Sequence, residues 1–446
     1  MSNILFIEKK METEKLGMMY LSAYLKERGH NTELVQTDEE DIFEAIERFK
    51  PNVFAYSTCT GEHRHALKTN EKIKKRYPHI LSVFGGAHPT FFPEIANEKD
   101  VDFVVIGQGE EAMIEIIEGK TKQKIIKKPL IENLNSLPIP DREILYKYDA
   151  FRNNPMKNVI TQRDCPYDCT YCHNHLNREL FKDEKHKMFQ RKTVDYTIKE
   201  IENIKKNYPL ERILFIDDNF LGNKKWLDEF CEKYKKSINL PFICCVRANL
   251  VKEDLVVKLK NAGLSRVHFS IESASPYVQK EILNRGQITN QDIEESIMFF
   301  KKYNIMIRLQ QMIGLPIENP LEDALNTLKF SLKNKPDESW VTIYQPYPKT
   351  KLGEYCLEHG FAKGNLEDYC GDNYFNESRL DIPDKDKIQR LQRWWHFITK
   401  YNLPVEFIQV LLEIPLDNGS MEKMAELRIK DYKTQFLKIN YKNLSD

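Results

Sequence analysis

The chain has 446 residues, with 67 basic and 67 acidic side chains and 41% hydrophobic residues. Its length is sufficient for about three domains of roughly 150 residues each. The formal net charge of zero argues against a dedicated nucleic-acid binder, since such proteins carry a basic excess. With 30% charged and 11% aromatic residues, the composition is that of a folded protein and excludes a low-complexity chain.

The first residues contain a short apolar run with no basic stretch before it, unlike a secretory signal. No apolar run approaches the roughly 18 residues of a membrane-spanning helix, so no membrane span is expected. We therefore expect a cytoplasmic protein. In that compartment its nine cysteines would stay reduced or bind metal.

Residues 1–118 alternate short apolar runs with helical patterns. The predicted strands are Ile4–Glu8, Glu33–Gln36, Val53–Ser57, Leu81–Phe84 and Phe103–Ile106. The predicted helices between them are Lys15–Arg28, Glu39–Phe49, Glu62–Tyr77 and Glu110–Glu118. This alternation indicates βαβ units and a parallel sheet. We therefore predict a flavodoxin-like (Rossmann-like) α/β domain, which binds its ligand at the carboxyl ends of the strands.

Residues 119–157 interrupt the alternation. They are rich in lysine at first, and Pro138 and Pro140 follow close together. Closely spaced prolines stiffen a chain and disfavour helix before them. We interpret this segment as a linker.

From residue 158 to residue 350 the alternation resumes. The predicted strands are Val159–Gln162, Ile213–Asp217, Phe242–Arg247, Arg266–Ile271, Met306–Met312 and Trp340–Tyr344. Six βα units predict a partial (β/α)6 barrel of the TIM type, with its catalytic groups at the carboxyl ends of the strands. Residues 351–446 are predicted to be mainly helical, with Trp394 and Trp395 in the core.

Three of the nine cysteines, Cys165, Cys169 and Cys172, fall within eight residues after the first predicted barrel strand. Thiolates are the usual ligands of iron–sulfur clusters, and a 4Fe–4S cluster takes four of them. With three thiolates, one iron would keep an open position, as catalytic metal sites do. Zinc with His173 or His175 as a fourth ligand is the alternative, although no second Cys-x-x-Cys pair is present.

This cysteine spacing, with the aromatic Tyr171 before the last cysteine, resembles the radical S-adenosylmethionine (radical SAM) superfamily over roughly residues 156–350. The resemblance implies that the three cysteines bind a 4Fe–4S cluster whose open iron chelates S-adenosylmethionine. The reduced cluster would cleave S-adenosylmethionine to a 5′-deoxyadenosyl radical. It also implies an external electron donor such as flavodoxin or ferredoxin.

Two further positions match the family by their place at strand ends. Asp217 or Asp218, after the second barrel strand, suits the methionine amino group of the cofactor, although one of them equally suits a helix N-cap. Ser270 and Glu272 end the fourth strand, where the resemblance implies a carboxylate against the ribose hydroxyls.

Three more positions lie on the third and fifth strands. Gly314 belongs to a Gly-Leu-Pro turn that resembles the family's turn near the adenine. Arg247 and Arg308 end or interrupt apolar strands. Each suits the cofactor carboxylate, and each equally suits a structural ion pair.

The first domain resembles the cobalamin-binding domain that precedes the barrel in one branch of this superfamily. The matching residues include Gly17, Gly85, Gly86, His88, Gly107, Gly109 and Glu110, and Ser57 and Thr58 are further candidate cofactor-binding residues. Adjacent glycines let backbone approach a bulky ligand closely, and a helix start offers N–H groups to a phosphate or amide. These residues alone do not distinguish a cobalamin-binding domain from a nucleotide-binding flavodoxin-like domain.

The loop after the first strand departs from the cobalamin pattern, because residues 8–17 lack the histidine that commonly binds cobalt. His63 and His65 follow the third strand. They lie either near the lower face of the cobalamin or, as we expect, exposed at a helix start. The lower cobalt position is therefore left to water, to a residue such as Cys59, or to nothing.

Together the two resemblances imply a cobalamin-dependent radical methyltransferase. It would move the methyl group of methylcobalamin to an unactivated carbon of a small-molecule or natural-product substrate. A radical rearrangement, oxidation or cyclisation on the same scaffold is the alternative among enzymes, and a redox or cobalamin-sensing protein is the alternative outside them. A methylthiotransferase is disfavoured, because the first domain contains only Cys59 and no second cysteine cluster.

The barrel ends at Tyr347-Pro348-Lys349-Thr350. In the family this stretch often reads Tyr-Pro-Gly-Thr, so Lys349 stands where a glycine is common. The lysine is either a local variation of the turn or a substrate contact.

Overall fold

The structure is a computed structural model, and it describes residues 1–369 and 377–437. Cys370, expected from the sequence to be an ordinary thiol, lies outside these ranges. By compactness the chain divides into two units. The first consists of residues 1–267 and 347–351, and the second of residues 268–346 with the residues from 352 onward. This division differs from the predicted domain boundaries, which stay predictions.

The first sheet is parallel and confirms the predicted α/β domain. Its strands are β1 Asn3–Glu8, β2 Asn31–Gln36, β3 Val53–Ser57, β4 Leu81–Gly85, β5 Phe103–Ile106 and β6 Ile125–Lys127. The helices are α1 Leu16–Glu27, α2 Ile42–Phe49, α3 His63–Lys74, α4 Ala87–Phe91, α5 Glu110–Ile117, α6 Glu143–Tyr146 and α7 Asp149–Arg152. The strand order β2-β1-β3-β4-β5-β6 reverses direction between β1 and β3. Ligands bind at such a switch point in doubly wound sheets.

The central strands β1, β3, β4 and β5 are buried on both faces, which explains why they read as continuous apolar runs. Side chains such as Phe6 pack into one core layer, and side chains such as Phe84 pack into the other. Strand β6 lies inside the segment that the sequence suggested as a linker, and its Ile125 pairs with Val104 of β5. Only Ile126 of β6 is buried, so the strand carries too little apolar signal to be found by pattern.

The second sheet has the strand order β12-β11-β10-β9-β8-β7 and confirms the predicted partial barrel. Its strands are β7 Met156–Val159, β8 Arg212–Phe215, β9 Phe242–Cys245, β10 Leu264–Glu272, β11 Met306–Ile313 and β12 Glu338–Ile343. The helices that follow β7 to β11 are α8 Asn174–Leu180, α9 Val194–Asn207, α10 Lys224–Ser237, α11 Glu253–Ala262, α12 Asn290–Lys302 and α13 Pro320–Asn334. The division between the two units falls within β10.

Strand β7 begins three residues earlier than predicted. Its Lys157 is fully buried, and the ammonium donates to the carbonyls of Phe151 and Arg152. Because a lysine rarely occupies a buried strand position, hydropathy alone placed the strand too late.

The described part of the C-terminal region is helical, as expected. Its helices are α14 Lys351–Glu358, α15 Lys385–Tyr401, α16 Val405–Glu413 and α17 Asn418–Leu437. Trp395 is completely buried and its indole N–H donates to Ser339 Oγ at 2.7 Å, which confirms its place in the core. Within residues 1–369 and 377–437, no helix combines the length and apolarity needed to cross a membrane.

Candidate active site

A cavity of about 510 Å³ lies in the first unit, at the carboxyl ends of β3, β4 and β5. Seven of the predicted cobalamin-binding residues line it, namely Gly17, Ser57, Gly85, Gly86, Gly107, Gly109 and Glu110. Apolar side chains such as Leu16, Met18 and Val105 form much of the remaining wall. An apolar cavity with a few polar groups is the usual form of a cofactor site.

Two glycines give the cavity its shape. Gly86 has φ +93°, and a Cβ there would lie 2.8 Å from the backbone nitrogen of Thr58. Gly107 has φ +77°, and a Cβ there would lie 2.5 Å from the ring of Phe181. Any other residue at either position would meet both an unfavourable backbone conformation and a steric clash.

The cavity extends to the segment that precedes the cysteines. Arg163 and Asp164 line it, and Arg163 donates to the buried carboxylate of Glu110 at 2.8 Å. Arg163, Asp164 and Phe181 were not among the residues predicted from the sequence. The adjacency of the first two to Cys165 was the only signal that pointed to them.

Two predicted cobalamin-binding residues, Thr58 and His88, do not line the cavity as described. Their backbone groups instead hydrogen-bond within the loops that form its wall. The backbone N–H of Thr58 donates to the Gly85 carbonyl, and its own carbonyl accepts from the His88 N–H, each at 2.9 Å.

The expectation that His63 is exposed is wrong, since the side chain is buried and its ring stacks on His88. The ring centres are 3.7 Å apart and nearly parallel. Burial lowers the pKa of His63 to about 4 and that of His88 to about 3, so both rings are neutral at pH 7. Burying two neutral rings against each other costs less free energy than burying charged rings, which explains why the histidines are buried together.

The residues considered for the lower cobalt position are also away from the cavity. His65 is half-buried and hydrogen-bonds to Thr37. Cys59 is exposed, and its N–H donates to Glu62. Neither they nor His63 belong to the described lining.

The three cysteines lie on the loop between β7 and α8. Cys169 is buried and the other two are half-buried. Arg178 fixes the loop by donating to the Cys165 carbonyl at 2.6 Å, and the Cys172 N–H donates to the Cys169 carbonyl at 3.1 Å. Burial raises the pKa of Cys165, and it raises the pKa of Cys172 to about 11, with the other thiols and Asp218 contributing. A bound cation would favour the thiolate forms, and the iron of a cluster would supply it.

The positions of the three cysteines are compatible with an iron–sulfur cluster. Among the described residues, no three His, Cys, Asp or Glu side chains converge closely enough to hold a metal ion. In an iron–sulfur cluster each thiolate binds a different iron, so the sulfurs need not converge on one point. Of the two candidate zinc ligands, the His175 ring bonds to the Cys172 carbonyl, whereas His173 stacks on Phe91 and its buried Nε2 has no hydrogen-bond partner among the described residues.

The two aspartates after β8 have different environments. Asp217 is fully buried and accepts from the backbone N–H and the hydroxyl of Thr161, which ties β8 to the segment after β7. Asp218 accepts from Asn174 at 3.1 Å, and its charge acts on Cys165 and Cys172. The N-cap interpretation is wrong for both, because Asn223 caps α10.

Arg247 follows β9 and lies beside the cysteine loop. Its guanidinium carbon is 3.6 Å from the centre of the Tyr167 ring, and its charge opposes the rise in the pKa of Cys165. Its Nε is buried and has no hydrogen-bond partner among the described residues. Tyr171, on the same loop, is half-buried.

The remaining predicted residues belong to the second unit. Arg285 donates to the Ser270 carbonyl at 2.7 Å and lies 4.0 Å from the Glu272 carboxylate. Glu272 itself has φ +61°, a strained conformation for a residue other than glycine. Such strain is typical of functional positions at strand ends.

Arg308 makes a structural ion pair, since its Nε donates to Glu338 at 2.8 Å. Its guanidinium also covers the Trp340 ring at 4.6 Å. Gly314 has φ +71° at the end of β11 and lies against apolar side chains such as Ile388.

Comparisons with known proteins agree with this arrangement. The family model for the B12-binding domain matches residues 3–117, and the model for the radical SAM superfamily matches residues 159–330. Both expected domain types are thereby confirmed. With them come the expected cofactors, namely cobalamin, a 4Fe–4S cluster and S-adenosylmethionine.

Two relatives cover most of the chain. An uncharacterized methyltransferase of Pyrococcus horikoshii is 28% identical over 77% of this chain and 78% of its own. The anaerobic magnesium-protoporphyrin IX monomethyl ester cyclase of Rubrivivax gelatinosus is 25% identical over 78% of this chain and 68% of its own.

The fold also matches a solved structure. This is the radical S-adenosylmethionine methyltransferase TsrM of Kitasatospora setae, with a TM-score of 0.64 and 14% identity. The match covers 94% of this chain and 90% of that one. At that identity the likeness is one of fold.

Proposed function

Because this chain belongs to the radical SAM enzymes with an N-terminal B12-binding domain, we propose that it methylates an unactivated carbon of a small molecule or natural product. The proposal rests on a single observation, namely that one cavity reaches both the first sheet and the segment before the cysteines. The cavity is lined both by the glycine loops of the first sheet and by Arg163 and Asp164, directly before Cys165. A methyl donor held in it would lie beside the loop where hydrogen abstraction begins.

When bound, the cluster with S-adenosylmethionine supplies hydrogen-atom abstraction and methylcobalamin supplies the methyl group. The chain's own contribution is to bind and orient these groups and to exclude water. Cys165, Cys169 and Cys172 would hold the cluster. Gly86 and Gly107 would shape the wall that faces the corrin ring, because a side chain at either position would displace Thr58 or Phe181.

The residues around the cysteines suit the charges of S-adenosylmethionine. The Asp218 carboxylate suits its amino group, and the Arg247 guanidinium suits its carboxylate, because each opposes the charge that it meets. Glu272 would accept hydrogen bonds from the ribose hydroxyls. An external reductant, for instance a flavodoxin or a ferredoxin, would reduce the cluster.

Anaerobic turnover tests the proposal. The reconstituted protein is incubated with S-adenosylmethionine, hydroxocobalamin and a chemical reductant, and 5′-deoxyadenosine is measured by mass spectrometry. We expect Cys165→Ala to abolish its formation and to lower the iron content. Cys231→Ala, outside the loop, is the matched control and should retain both. A wild-type protein that binds cobalamin but never forms 5′-deoxyadenosine would instead indicate a cobalamin-sensing protein.

A non-methylating oxidation or cyclisation is the second candidate function. The cyclase of Rubrivivax gelatinosus favours it, because it aligns with 78% of this chain. The same assay with added cell extract separates the two candidates. Methylation yields a product heavier by one CH2, whereas oxidation or cyclisation yields 5′-deoxyadenosine with no methylated product.

A further inference from the structure

Lys349 has an unusual backbone conformation and an unusual set of partners. Its φ is +63°, in the left-handed region, where a glycine would carry no strain. Its ammonium donates to the Phe91 carbonyl at 2.5 Å and to the Glu94 carboxylate at 3.2 Å. It also lies 4.3 Å from the centre of the Phe92 ring. Phe91, Phe92 and Glu94 belong to one short segment of the first domain, which explains how the strained turn is held.

Phe91 connects that segment to the cavity and to the cysteine loop. Its side chain lines the cavity and stacks on His173, with ring centres 5.1 Å apart. His173 directly follows Cys172, and Tyr347 meets its ring edge-on with ring centres 5.4 Å apart. Phe91, His173, Tyr347 and Lys349 therefore form a closed ring of contacts, which we name the Phe91 clasp.

We propose that Lys349 is a positioning residue that holds Phe91 between the cobalamin cavity and the cysteine loop. Helix α4, which ends at Phe91, has five residues and cannot be stable without tertiary contacts. The lysine provides one by bonding to the carbonyl of its last residue. The cavity wall and the cysteine loop then keep a fixed separation. This inference deepens the proposed function, since it rests on cobalamin occupying the cavity.

The exposed pair with Glu94 contributes little by itself, so the effect depends on the carbonyl bond and the contact with Phe92. Lys349→Met removes both and keeps the length of the side chain. Lys349→Gly also removes them and relieves the left-handed strain, so that the turn itself is preserved. Lys349→Arg keeps a cation that reaches the same partners. Lys50→Met is the matched control, because Lys50 is another left-handed lysine of the first domain.

Aquacobalamin binding by the full-length protein, followed by absorbance, is the first readout. We expect Lys349→Met and Lys349→Gly to raise the Kd about three- to tenfold, in keeping with a few exposed contacts. Lys349→Arg should return within about twofold of wild type, and Lys50→Met should match wild type. An unchanged Kd in both Lys349→Met and Lys349→Gly would overturn the proposal, and so would a Lys349→Arg variant as weak as Lys349→Met.

Hydrogen exchange of residues 87–97, measured without cobalamin, is the second readout. It tests the clasp independently of the proposed function. We expect faster exchange there in Lys349→Met and Lys349→Gly, with unchanged iron content after reconstitution. Unchanged exchange in both variants contradicts the clasp. Failure of the wild type to bind aquacobalamin contradicts the proposed function and leaves the exchange result to decide the clasp.

Discussion

The guanidinium carbon of Arg247 lies 3.6 Å from the centre of the Tyr167 ring, between Cys165 and Cys169 in the sequence. Stacking on an aromatic face holds the planar group by dispersion and by cation–π attraction. It leaves the edge of the guanidinium available, and Nε has no hydrogen-bond partner among the described residues. The arginine is therefore oriented beside the cysteine loop before any anion binds.

Arg247→Lys is predicted to slow 5′-deoxyadenosine formation about tenfold or more, because an ammonium neither stacks as a plane nor offers a fork of N–H groups. Hydrogen bonds to charged groups are worth about 1.5–3 kcal/mol, which corresponds to this loss. The measurement is the initial rate at subsaturating S-adenosylmethionine. Iron content should stay at the wild-type value, and an unchanged rate would show that the arginine only supports the loop.

Substitution of Asp217 is predicted to lower the stability of the protein, whereas substitution of Asp218 is predicted to lower its activity. Asp217→Asn should lower Tm, since it disturbs the buried bonds to Thr161, at a cost of about 1–3 kcal/mol. Asp218→Asn should leave Tm unchanged and slow S-adenosylmethionine cleavage, because it removes the carboxylate beside the cysteines. Thermal unfolding and the cleavage rate are measured for both. If Asp217→Asn instead kept the wild-type Tm and cleaved S-adenosylmethionine slowly, Asp217 and not Asp218 would be the residue that serves the cofactor.

Gly86→Ala is predicted to destabilise the first domain and to prevent cobalamin binding. The new Cβ would lie 2.8 Å from the Thr58 nitrogen, and φ +93° is unfavourable for alanine. We expect a loss of about 2 kcal/mol or more in the free energy of unfolding, from the clash and the strain together.

Gly119→Ala provides the control for that substitution. Gly119 has φ +66° in the same domain, but no atom lies within 4 Å of its Cβ position. It should therefore show the strain alone, at about 1 kcal/mol, with normal cobalamin binding. Equal effects of the two substitutions would mean that close approach to Thr58 is unimportant.

Much of the first domain could be predicted from its sequence because its central strands are buried on both faces. Strands β3 and β5 have the predicted bounds, and β1, β2 and β4 differ by one or two residues at an end. Strand β6 could not be found, since a three-residue edge strand with one buried side chain has no periodicity. Its position depends on pairing with β5, which no local pattern encodes.

In the candidate site, too, residues were predictable where their role depends on nearby sequence, and were not predictable where it depends on contacts with distant parts of the chain. The cysteines and glycines were recognisable because their chemistry requires those residue types at fixed spacing. The partners of Lys349 were not, because Glu94 lies 255 positions away in the sequence. The burial of His63 depends likewise on a stack with His88, whereas its position at a helix start favoured exposure.

That stack predicts how the stability of the protein depends on pH. The folded-state pKa values of His63 and His88, about 4 and about 3, lie below the ordinary histidine value of 6.5, chiefly because of burial. The unfolded chain therefore binds more protons between pH 6.5 and pH 4. The stability due to the neutral rings is present above pH 6.5 and is lost as the pH falls.

Lowering the pH from 7.5 to 5 should cost roughly 2 kcal/mol for each of these two histidines, since 1.5 units of pH lie below the unfolded pKa. Phenylalanine keeps the ring stack and cannot be protonated. We therefore expect His63→Phe and His88→Phe each to remove about half of this acid sensitivity, and the double variant to remove nearly all of it. Urea unfolding at the two pH values measures the difference. If the wild type and the double variant lost the same stability on acidification, the two rings would already be protonated, or equally exposed, in the folded protein.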